Sequence, residues 1–515
     1  MKVALVAAPY DTATFRIGEN LGVKYLSASL NRAGVPNDVF EPALLGIDDH
    51  ALVSDLMAGH YDVIGFSVMF DSALPRTTSL IAALRRSGCS AHITMGGHVP
   101  TFNDVGILQQ STGLDSVVRF EGEETLVELV SCLDRNVAWT AIKGLSFRSG
   151  EQVAANPPRP LIADLDSIPF PVRDETSRHL GDPHFFVITT RGCPFTCTFC
   201  SIPAFYKTPS GLAWRARSVA NVLEELNHLR SAWGARTISF LDDEFLVGRN
   251  GKKRAVELAD EMRLRDMQMT WAFECRADDV SSTLFARLRD GGLRHVFIGV
   301  ESGVQRVLDM FDKRTTVTQN EAAIEIVREL KISLSVGFIM FDPFVTCAEL
   351  MENIEFLARF EIGSYKSVTN RVLVYRGTRL EEQLDSEGIL LRDGLSLDYC
   401  FTDQKIDFVY RTALAELKPF YRLNVEQLRA EYRADNAVAR EPANDERTAV
   451  AQTGREVNSS LLQEFREIVR FAESAESGDA VATRKFTLNL RERINDCVSF
   501  WLVRYSELSG QSERR

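Results

Sequence analysis

Residues 189–200 of this chain read TTRGCPFTCTFC, a stretch that carries three of the nine cysteines in 515 residues. Cys193, Cys197 and Cys200 are spaced so that one short loop can present three thiolates to a single iron–sulfur cluster. Structural zinc sites usually take four Cys or His ligands, and this stretch offers no fourth. The segment therefore predicts a [4Fe–4S] cluster with one iron left open. A zinc site or three unmetallated thiols are the alternatives.

Strand and helix signals alternate downstream of this loop. Apolar segments there predict the strands of a partial, six-stranded (β/α) barrel, which resembles a TIM barrel: 185–190, 237–241, 270–274, 295–300, 333–340 and 367–374. Functional groups of such barrels gather at the carboxyl ends of the strands. The cysteine loop follows the first predicted strand, so we expect it at that end.

The fold class predicted for the whole chain is α/β. Residues 1–135 alternate strands and helices and predict a doubly wound, Rossmann-like domain. Residues 136–183 are rich in proline and turns and predict a linker, and residues 184–385 form the barrel. Residues 386–515 are predicted to be mainly helical, with a loose polar stretch at 440–458.

Composition narrows the classes of function. A net charge of −12 and a pI near 5.4 give no basic footprint for nucleic acid. No apolar run approaches the roughly 18 residues of a membrane span. The other cysteines are scattered and do not form a dense disulfide framework. We therefore expect a cytoplasmic protein without nucleic acid or membrane as a partner.

The CxxxCxxC spacing, with Phe199 before the last cysteine and a barrel that starts at the same strand, resembles the signature of radical S-adenosylmethionine (SAM) enzymes. In that family the methionyl group of SAM chelates the open iron, and an electron from the cluster cleaves SAM to methionine and a 5′-deoxyadenosyl radical. The resemblance implies a [4Fe–4S] cluster and SAM as cofactors. It also implies an external one-electron reductant of the flavodoxin or ferredoxin type.

The same resemblance assigns SAM-binding roles at the ends of the following strands. The residues concerned are Asp242, Asp243, Glu244, Arg276, Glu301, Ser302 and Phe338, together with Phe199 of the cysteine motif. The three acids after the second strand suit the methionyl ammonium group. The residues after the fourth strand resemble a ribose- and carboxylate-binding segment, and the fifth strand supplies an apolar wall for adenine. Acids that cap a helix N-terminus, and internal ion pairs, are the alternatives.

A second set of residues lies at strand ends in the N-terminal region, where doubly wound sheets bind ligands. The Ser-x-Met and Gly-Gly elements there resemble the cobalamin-binding domain that precedes many radical SAM enzymes, with Met69 in place of leucine. The resemblance implies that cobalamin is held by Ser67, Gly96, Gly97, His98, Glu121 and Gly122. Residues 9–22 contain no histidine for cobalt, and we expect His98 in the pocket wall rather than on a metal. A nucleotide-binding or empty Rossmann-like domain is the alternative.

Cobalamin beside a 5′-deoxyadenosyl radical implies a methyltransferase. The methyl group of SAM would pass through methylcobalamin to an unactivated carbon, or phosphorus, of a small metabolite in natural-product biosynthesis. A cobalamin-dependent cyclase or ring-rearranging enzyme without methyl transfer is the first alternative. A methylthiotransferase acting on tRNA and a non-enzymatic sensor are weaker ones, because the sequence shows no basic module for RNA or DNA.

Overall fold

The computed structural model describes residues 1–9, 19–174, 177, 184–436, 444–474 and 479–512. It confirms the α/β class, with a largely parallel N-terminal sheet, a parallel barrel sheet and a helical C-terminal region. Within these residues no helix combines the length and the apolar character needed to cross a bilayer.

The N-terminal domain is a sheet with helices on both faces. Its strands are β1 (Val3–Ala7), β2 (Asn37–Phe40), β3 (Val63–Ser67), β4 (His92–Gly96), β5 (Ser116–Val118), β6 (Leu145–Ser149) and β7 (Gln152–Ala155). Its helices are α1 (Leu21–Arg32), α2 (Pro42–Leu45), α3 (Asp49–Ala58), α4 (Leu74–Arg86), α5 (His98–Gln110) and α6 (Glu123–Asp134). The strand order is β2-β1-β3-β4-β5-β6-β7, and β1 to β5 are parallel. The carboxyl ends of β3, β4 and β5 therefore meet at one edge.

Part of the predicted linker belongs to this sheet. The hairpin β6–β7 extends the sheet beside β5 in antiparallel pairing. Leu145 and Phe147 alternate inward and are buried against Leu129 of α6, which gives the hairpin its own small core. The prolines after residue 156 dominated the sequence pattern and concealed this period of two. The extended stretch therefore begins only after β7.

The barrel domain has helices outside a curved sheet. Its strands, with the short pair β9 and β10, are β8 (His184–Val187), β9 (Thr190–Arg191), β10 (Arg215–Ala216), β11 (Thr237–Phe240), β12 (Thr270–Arg276), β13 (Leu293–Glu301) and β14 (Ser333–Phe338). Its helices are α7 (Ile202–Lys207), α8 (Val219–Trp233), α9 (Gly248–Leu264), α10 (Ser282–Asp290), α11 (Gln305–Met310), α12 (Val317–Glu329), α13 (Cys347–Arg359), α14 (Tyr365–Thr369) and α15 (Arg379–Ser386). Over the described residues the sheet has five parallel strands in the order β14-β13-β12-β11-β8.

The predicted sixth strand, residues 367–374, does not form. Residues 365–369 make the short helix α14, and Arg371 joins Phe341 in an isolated parallel bridge. The Ser364 side chain caps the helix by accepting a hydrogen bond from Ser367 N at 3.1 Å. Cap and tertiary packing together override the strand propensity of this apolar segment.

The C-terminal region begins with a hairpin and continues as helices. The hairpin strands are β15 (Leu390–Asp393) and β16 (Ser396–Tyr399), and the helices are α16 (Gln404–Glu416), α17 (Lys418–Asn436), α18 (Asn444–Glu473) and α19 (Ala480–Ser512). The stretch predicted to be loose at 440–458 is helical from Asn444 on, while residues 440–443 lie outside the described residues. Leu395, at the tip of the hairpin, packs against the core of the N-terminal domain.

Candidate active site

The three cysteines lie on the loop that follows β9, at the carboxyl end of the barrel sheet. Cys193, Cys197 and Cys200 are free thiols of intermediate exposure. Burial raises the pKa of Cys193 and Cys200 to about 12, so each thiol keeps its proton unless a metal replaces it. One short loop that carries three such thiols fits an iron–sulfur cluster ligated by cysteine.

The start of this loop is fixed by Asp242, at the end of β11. One carboxylate oxygen accepts hydrogen bonds from the backbone N–H groups of Thr189 and Thr190, at 2.6 and 2.7 Å. The other oxygen accepts from the Thr189 hydroxyl at 2.5 Å. Asp242 is only 3% exposed, so it supports the cysteine loop from behind. This differs from the predicted contact with the methionyl ammonium group.

Asp243 and Glu244 continue the same acidic segment in different surroundings. Asp243 accepts a hydrogen bond from Gly192 N at 2.8 Å, and burial raises its pKa to about 6. Glu244 accepts from Leu246 N at 3.2 Å, and burial raises its pKa to about 8. Both carboxyls therefore give up their protons less readily than exposed acids, and a nearby cation would favour their ionised forms.

Gly192 stands directly before the first cysteine and cannot be replaced without moving the backbone. Its φ of +85° lies in the left-handed region, and a Cβ built there would be 1.8 Å from the carbonyl oxygen of Ala213. Glycine is the residue that accepts both conditions. The cysteine loop therefore depends on a close approach to the segment before β10.

The middle of the loop rests on the turn that follows α11. Thr198 donates from its backbone N–H to Phe311 O at 2.9 Å and from its hydroxyl to Met310 O at 3.0 Å. The ring of Phe199 meets Phe311 edge to face, with 4.8 Å between centroids. Phe199 thus anchors the loop by apolar packing.

Arg276, at the end of β12, lies beside the cysteines. Its guanidinium is 3.9 Å from the centroid of the Phe195 ring, and Nη1 is 3.9 Å from Cys197 Sγ. Asp278 accepts a hydrogen bond from Arg276 Nε at 2.9 Å and holds the group in place. A fixed cation at this position would stabilise a thiolate of Cys197.

Glu301, at the end of β13, forms a buried ion pair. Lys313 Nζ donates to Glu301 Oε1 at 2.8 Å. The backbone of Glu301 has φ +62°, next to an irregularity in the pairing of β13 with β14. At Gly299 a Cβ would lie 2.7 Å from both charged atoms, so the glycine makes room for the pair. The internal ion pair that the sequence left as an alternative is present, and strain of this kind is concentrated at functional sites.

Ser302 and Phe338 lie at the ends of β13 and β14, and their side chains face the helices outside the barrel. Ser302 is fully buried, and its hydroxyl donates to Asn353 Oδ1 at 3.0 Å. Phe338 is 3% exposed and stacks on Phe356 of α13, with 6.1 Å between centroids. The structure therefore does not place these two side chains where the sequence predicted contacts with SAM.

Glu274 is a functional candidate that the sequence analysis did not single out. It lies on β12 between the buried Phe273 and Cys275 and points to the open side of the sheet. Its side chain is exposed to the interior of the barrel, where protein surrounds it on several sides. This partial burial, followed by the negative charges of Asp243 and Glu301, raises the pKa of Glu274 to about 7. The strict alternation of β12 is the signal that could have found it.

A cavity of about 220 Å³ opens between the carboxyl edge of the N-terminal sheet and the barrel. The six residues predicted to hold cobalamin all line it: Ser67, Gly96, Gly97, His98, Glu121 and Gly122. Residues from the barrel side complete the wall: Arg191, Ile202, Phe205, Tyr206 and Asp243. The cavity therefore extends to the residues that flank the cysteine loop.

Gly97, in the wall of the cavity, packs closely on the backbone that follows β3. Its φ is +102°, and a Cβ there would lie 2.7 Å from Val68 O. Glycine is the residue that accepts both this φ and this close approach of the two strand ends. His98 follows, with Nε2 2.5 Å from Ser201 Oγ, and burial lowers its pKa to about 4. His98 thus stands in the cavity wall, while the histidine-free loop at 9–22 lies mostly outside the described residues.

Glu121 joins the cavity to the cysteine loop. It accepts hydrogen bonds from Arg191 Nη1 and Arg215 Nη1, both at 3.0 Å, and from Ile162 N at 2.8 Å. Although burial opposes ionisation, the two arginines hold the pKa of Glu121 below its ordinary value. Glu123, which also lines the cavity, accepts from Arg191 Nη2 at 2.5 Å. The sequence around Arg191 and Glu123 does not indicate that they form an ion pair, because the two residues are nearly seventy positions apart.

Two family profiles match the chain. The radical SAM superfamily profile matches residues 187–357, and the B12 binding domain profile matches residues 13–130. The first range contains the cysteine loop, and the second contains the strand ends that line the cavity.

Three known proteins illustrate the similarity. An uncharacterized methyltransferase of Pyrococcus horikoshii is 30% identical over 403 residues, which cover 76% of this chain and 84% of that protein. The anaerobic magnesium-protoporphyrin IX monomethyl ester cyclase of Cereibacter sphaeroides is 30% identical over 331 residues, covering 62% of this chain and 53% of the cyclase. The structure of OxsB, a cobalamin-dependent SAM radical enzyme with aqua-cobalamin and SAM bound, superimposes with a TM-score of 0.72 at 20% identity, covering 100% of this chain and 80% of OxsB. That likeness shows a shared fold.

Proposed function

The chain belongs to the cobalamin-dependent radical SAM enzymes, and on that premise we propose that it transfers a methyl group from SAM through cobalamin to an unactivated carbon, or phosphorus, of a small metabolite. The cofactors of this family are a [4Fe–4S] cluster, SAM and cobalamin. One observation carries the proposal. Arg191 and Asp243 belong to the barrel side of the cavity wall and also hold the start of the cysteine loop.

The residues that would hold each cofactor are separate but adjacent. Cys193, Cys197 and Cys200 would ligate the cluster, and the glycine edge of the N-terminal sheet would face cobalamin. When bound, the cluster supplies the electron that cleaves SAM to methionine and a 5′-deoxyadenosyl radical, and cobalamin carries the methyl group. The protein's own task is to hold these groups in order and keep water out.

Charged side chains at the barrel end support SAM binding in this proposal. The Glu301–Lys313 pair and Arg276 offer both signs of charge beside the cysteine loop. SAM carries a carboxylate, an ammonium group and a sulfonium, so such a mixed surface suits it. Asp243 and Glu244, held by one backbone hydrogen bond each, remain the acids proposed for the ammonium group.

The substrate is proposed to meet an apolar surface with few polar groups. Met69 lines the cavity and is 46% exposed, and Phe205 of α7 lines it from the barrel domain. Small-molecule sites typically combine such walls with a small number of fixed polar groups. The external one-electron reductant remains a prediction from the sequence.

Anaerobic reconstitution tests the proposal. The protein, loaded with iron, sulfide and cobalamin, would be incubated with SAM, a reductant and candidate metabolites, and the products would be separated by mass. We expect S-adenosylhomocysteine, 5′-deoxyadenosine and a product heavier by one CH2 unit, in equal amounts. Formation of 5′-deoxyadenosine with a consumed but unmethylated substrate would refute methyl transfer.

A cyclase or ring-rearranging reaction is the second candidate. It is favoured by the similarity to the Cereibacter sphaeroides cyclase over 331 residues. The mass of the product distinguishes the two, because ring formation or rearrangement adds no CH2 unit. S-Adenosylhomocysteine would then be absent, since no methyl group leaves SAM.

A further inference from the structure

Two contacts from the N-terminal domain reach the cysteine loop, and the first lies just before its first cysteine. Arg191, two residues ahead of Cys193, donates to Glu121 Oε1 at 3.0 Å and to Glu123 Oε1 at 2.5 Å. The three side chains are between 7% and 12% exposed. Buried charge-assisted hydrogen bonds of this kind hold a defined geometry. The start of the loop is therefore tied to the segment after β5.

The second contact lies just after the last cysteine. His98 Nε2 is 2.5 Å from the hydroxyl of Ser201, the residue that follows Cys200. The imidazole ring also stacks on Phe205, with 5.1 Å between centroids and 14° between planes. A ring held by both a stacked face and a hydrogen bond has one orientation. The end of the loop is therefore tied to the start of α5.

The same side chains line the cavity. His98, Glu121, Glu123 and Arg191 each have a neighbour across the boundary between the two domains and also form part of the cavity wall. A ligand in the cavity and a cluster on the loop would thus rest on shared supports. A change of either contact alters the spacing between them without touching the three cysteines.

We propose that His98 and Glu123 are positioning residues that hold the two ends of the cysteine loop at a fixed distance from the cavity and so set the separation between cobalamin and the iron–sulfur cluster. This rests on the proposed use of the cavity and the loop by two cofactors. The two residues act through Ser201 and Arg191. Transfer between groups bound at two sites depends steeply on their spacing, since a misplacement of about 1 Å can cost about 100-fold in rate.

The test uses three variants of the cofactor-loaded protein. His98→Phe keeps a stacked ring but loses the hydrogen bond to Ser201. His98→Gln keeps a hydrogen-bonding nitrogen at similar reach and serves as the rescue. Glu123→Gln keeps the shape of the side chain but loses the charge that pairs with Arg191. Iron and cobalamin contents are measured first, and the variants are compared with the wild type at equal loading of both cofactors.

Two controls carry equivalent changes inside the N-terminal domain. His92→Phe removes a histidine–serine hydrogen bond of 2.9 Å to Ser116, also at β4, that does not reach the barrel. Glu128→Gln removes one of the two carboxylates of α6 that pair with Arg159 at the surface. If general loosening of the domain were responsible, these variants would behave like the test variants.

The main readout is magnetic and does not require turnover. Electron paramagnetic resonance of cob(II)alamin beside the reduced cluster reports the separation of the two centres. We expect a resolved spin–spin interaction in the wild type, in both controls and in His98→Gln, and its loss or broadening in His98→Phe and Glu123→Gln. During turnover, the amount of methylated product formed per 5′-deoxyadenosine is expected to fall about tenfold in His98→Phe and Glu123→Gln.

The outcomes separate this inference from the proposed function. A spin–spin interaction like that of the wild type in both His98→Phe and Glu123→Gln overturns the inference. A variant that no longer binds cobalamin or iron also overturns it, since the replaced residue would then be a ligand or a structural support. If the wild type yields no methylated product, the proposed function fails, and the magnetic coupling still decides the positioning role.

Discussion

Replacing Asp242 with alanine removes the acceptor of three hydrogen bonds that hold the start of the cysteine loop. Two of the donors are the buried backbone N–H groups of Thr189 and Thr190, which have the Asp242 carboxylate as their partner. A buried N–H left without a partner costs about 1–3 kcal/mol, so the two together cost roughly 2–6 kcal/mol. The Thr189 hydroxyl can rotate and is not counted. Asp242→Asn keeps an oxygen for both N–H groups and is expected to cost less than about 2 kcal/mol.

Thermal unfolding and iron content of the anaerobically purified protein check this order. We expect the midpoint for Asp242→Ala to fall by roughly 5 °C or more, with fewer iron atoms retained per chain, and Asp242→Asn to lie between it and the wild type. Asp309→Ala, which removes an exposed carboxylate bound by one side-chain amide, is the control. An Asp242→Ala protein with wild-type stability and iron content would refute the reasoning, and so would an Asp242→Asn protein as damaged as the alanine variant.

Three further changes have defined outcomes. Gly192→Ala should abolish iron binding, because the added Cβ would overlap the carbonyl of Ala213. The control, Gly234→Ala, has a similar positive φ but open space around it and should retain iron. Equal iron contents in the two variants would contradict this expectation. Glu274, with its pKa raised from 4.5 to about 7, keeps in the folded state a proton that the unfolded chain has lost, so the stability of the ligand-free protein should fall as pH rises between these values. Glu274→Gln should remove that slope in urea titrations, and an unchanged slope would assign it to another group. Phe338→Leu should lower stability by about 1–2 kcal/mol without changing SAM affinity in equilibrium binding, and a marked loss of affinity would place its ring in the SAM site after all.

Local signals in the sequence were sufficient for elements that carry their own boundaries. The helix α1 forms at Leu21–Arg32 because its apolar face and its N-cap, Asn20, lie in or directly beside the segment itself. The segment at 367–374 became a helical turn because Asn424 of α17 accepts a hydrogen bond from Tyr365 N at 2.8 Å. The polar stretch after 440 became α18 because Val450 and Val457 find burial among neighbouring helices. Neither tertiary partner is visible in a window of residues.

The site shows the same division. The sequence alone was sufficient to recognise the three cysteines within eight residues and the Gly-Gly pair at a strand end. The Glu301–Lys313 pair depends on a pairing irregularity and a positive φ, and the contacts of Arg191 depend on the docking of two domains. Ser302 and Phe338 are predicted to contact SAM from their place at strand ends. The Phe338 side chain points outward because successive residues of β14 alternate between faces, and Ser302, directly after β13, donates its hydroxyl to Asn353 of α13.

The hairpin β15–β16 has a consequence for how this chain folds as it is synthesised. Its tip residue Leu395 completes a core that otherwise comes from the first 153 residues. At Gly106 an added Cβ would lie 2.5 Å from Leu395 Cδ2, so the fit is close. The N-terminal domain therefore leaves the ribosome with an apolar notch that stays open while about 240 further residues, from 154 to 395, are made. A nascent chain stopped before the hairpin would expose this notch to chaperones. The N-terminal domain is therefore synthesised first, but its core is completed only after the barrel domain has been made.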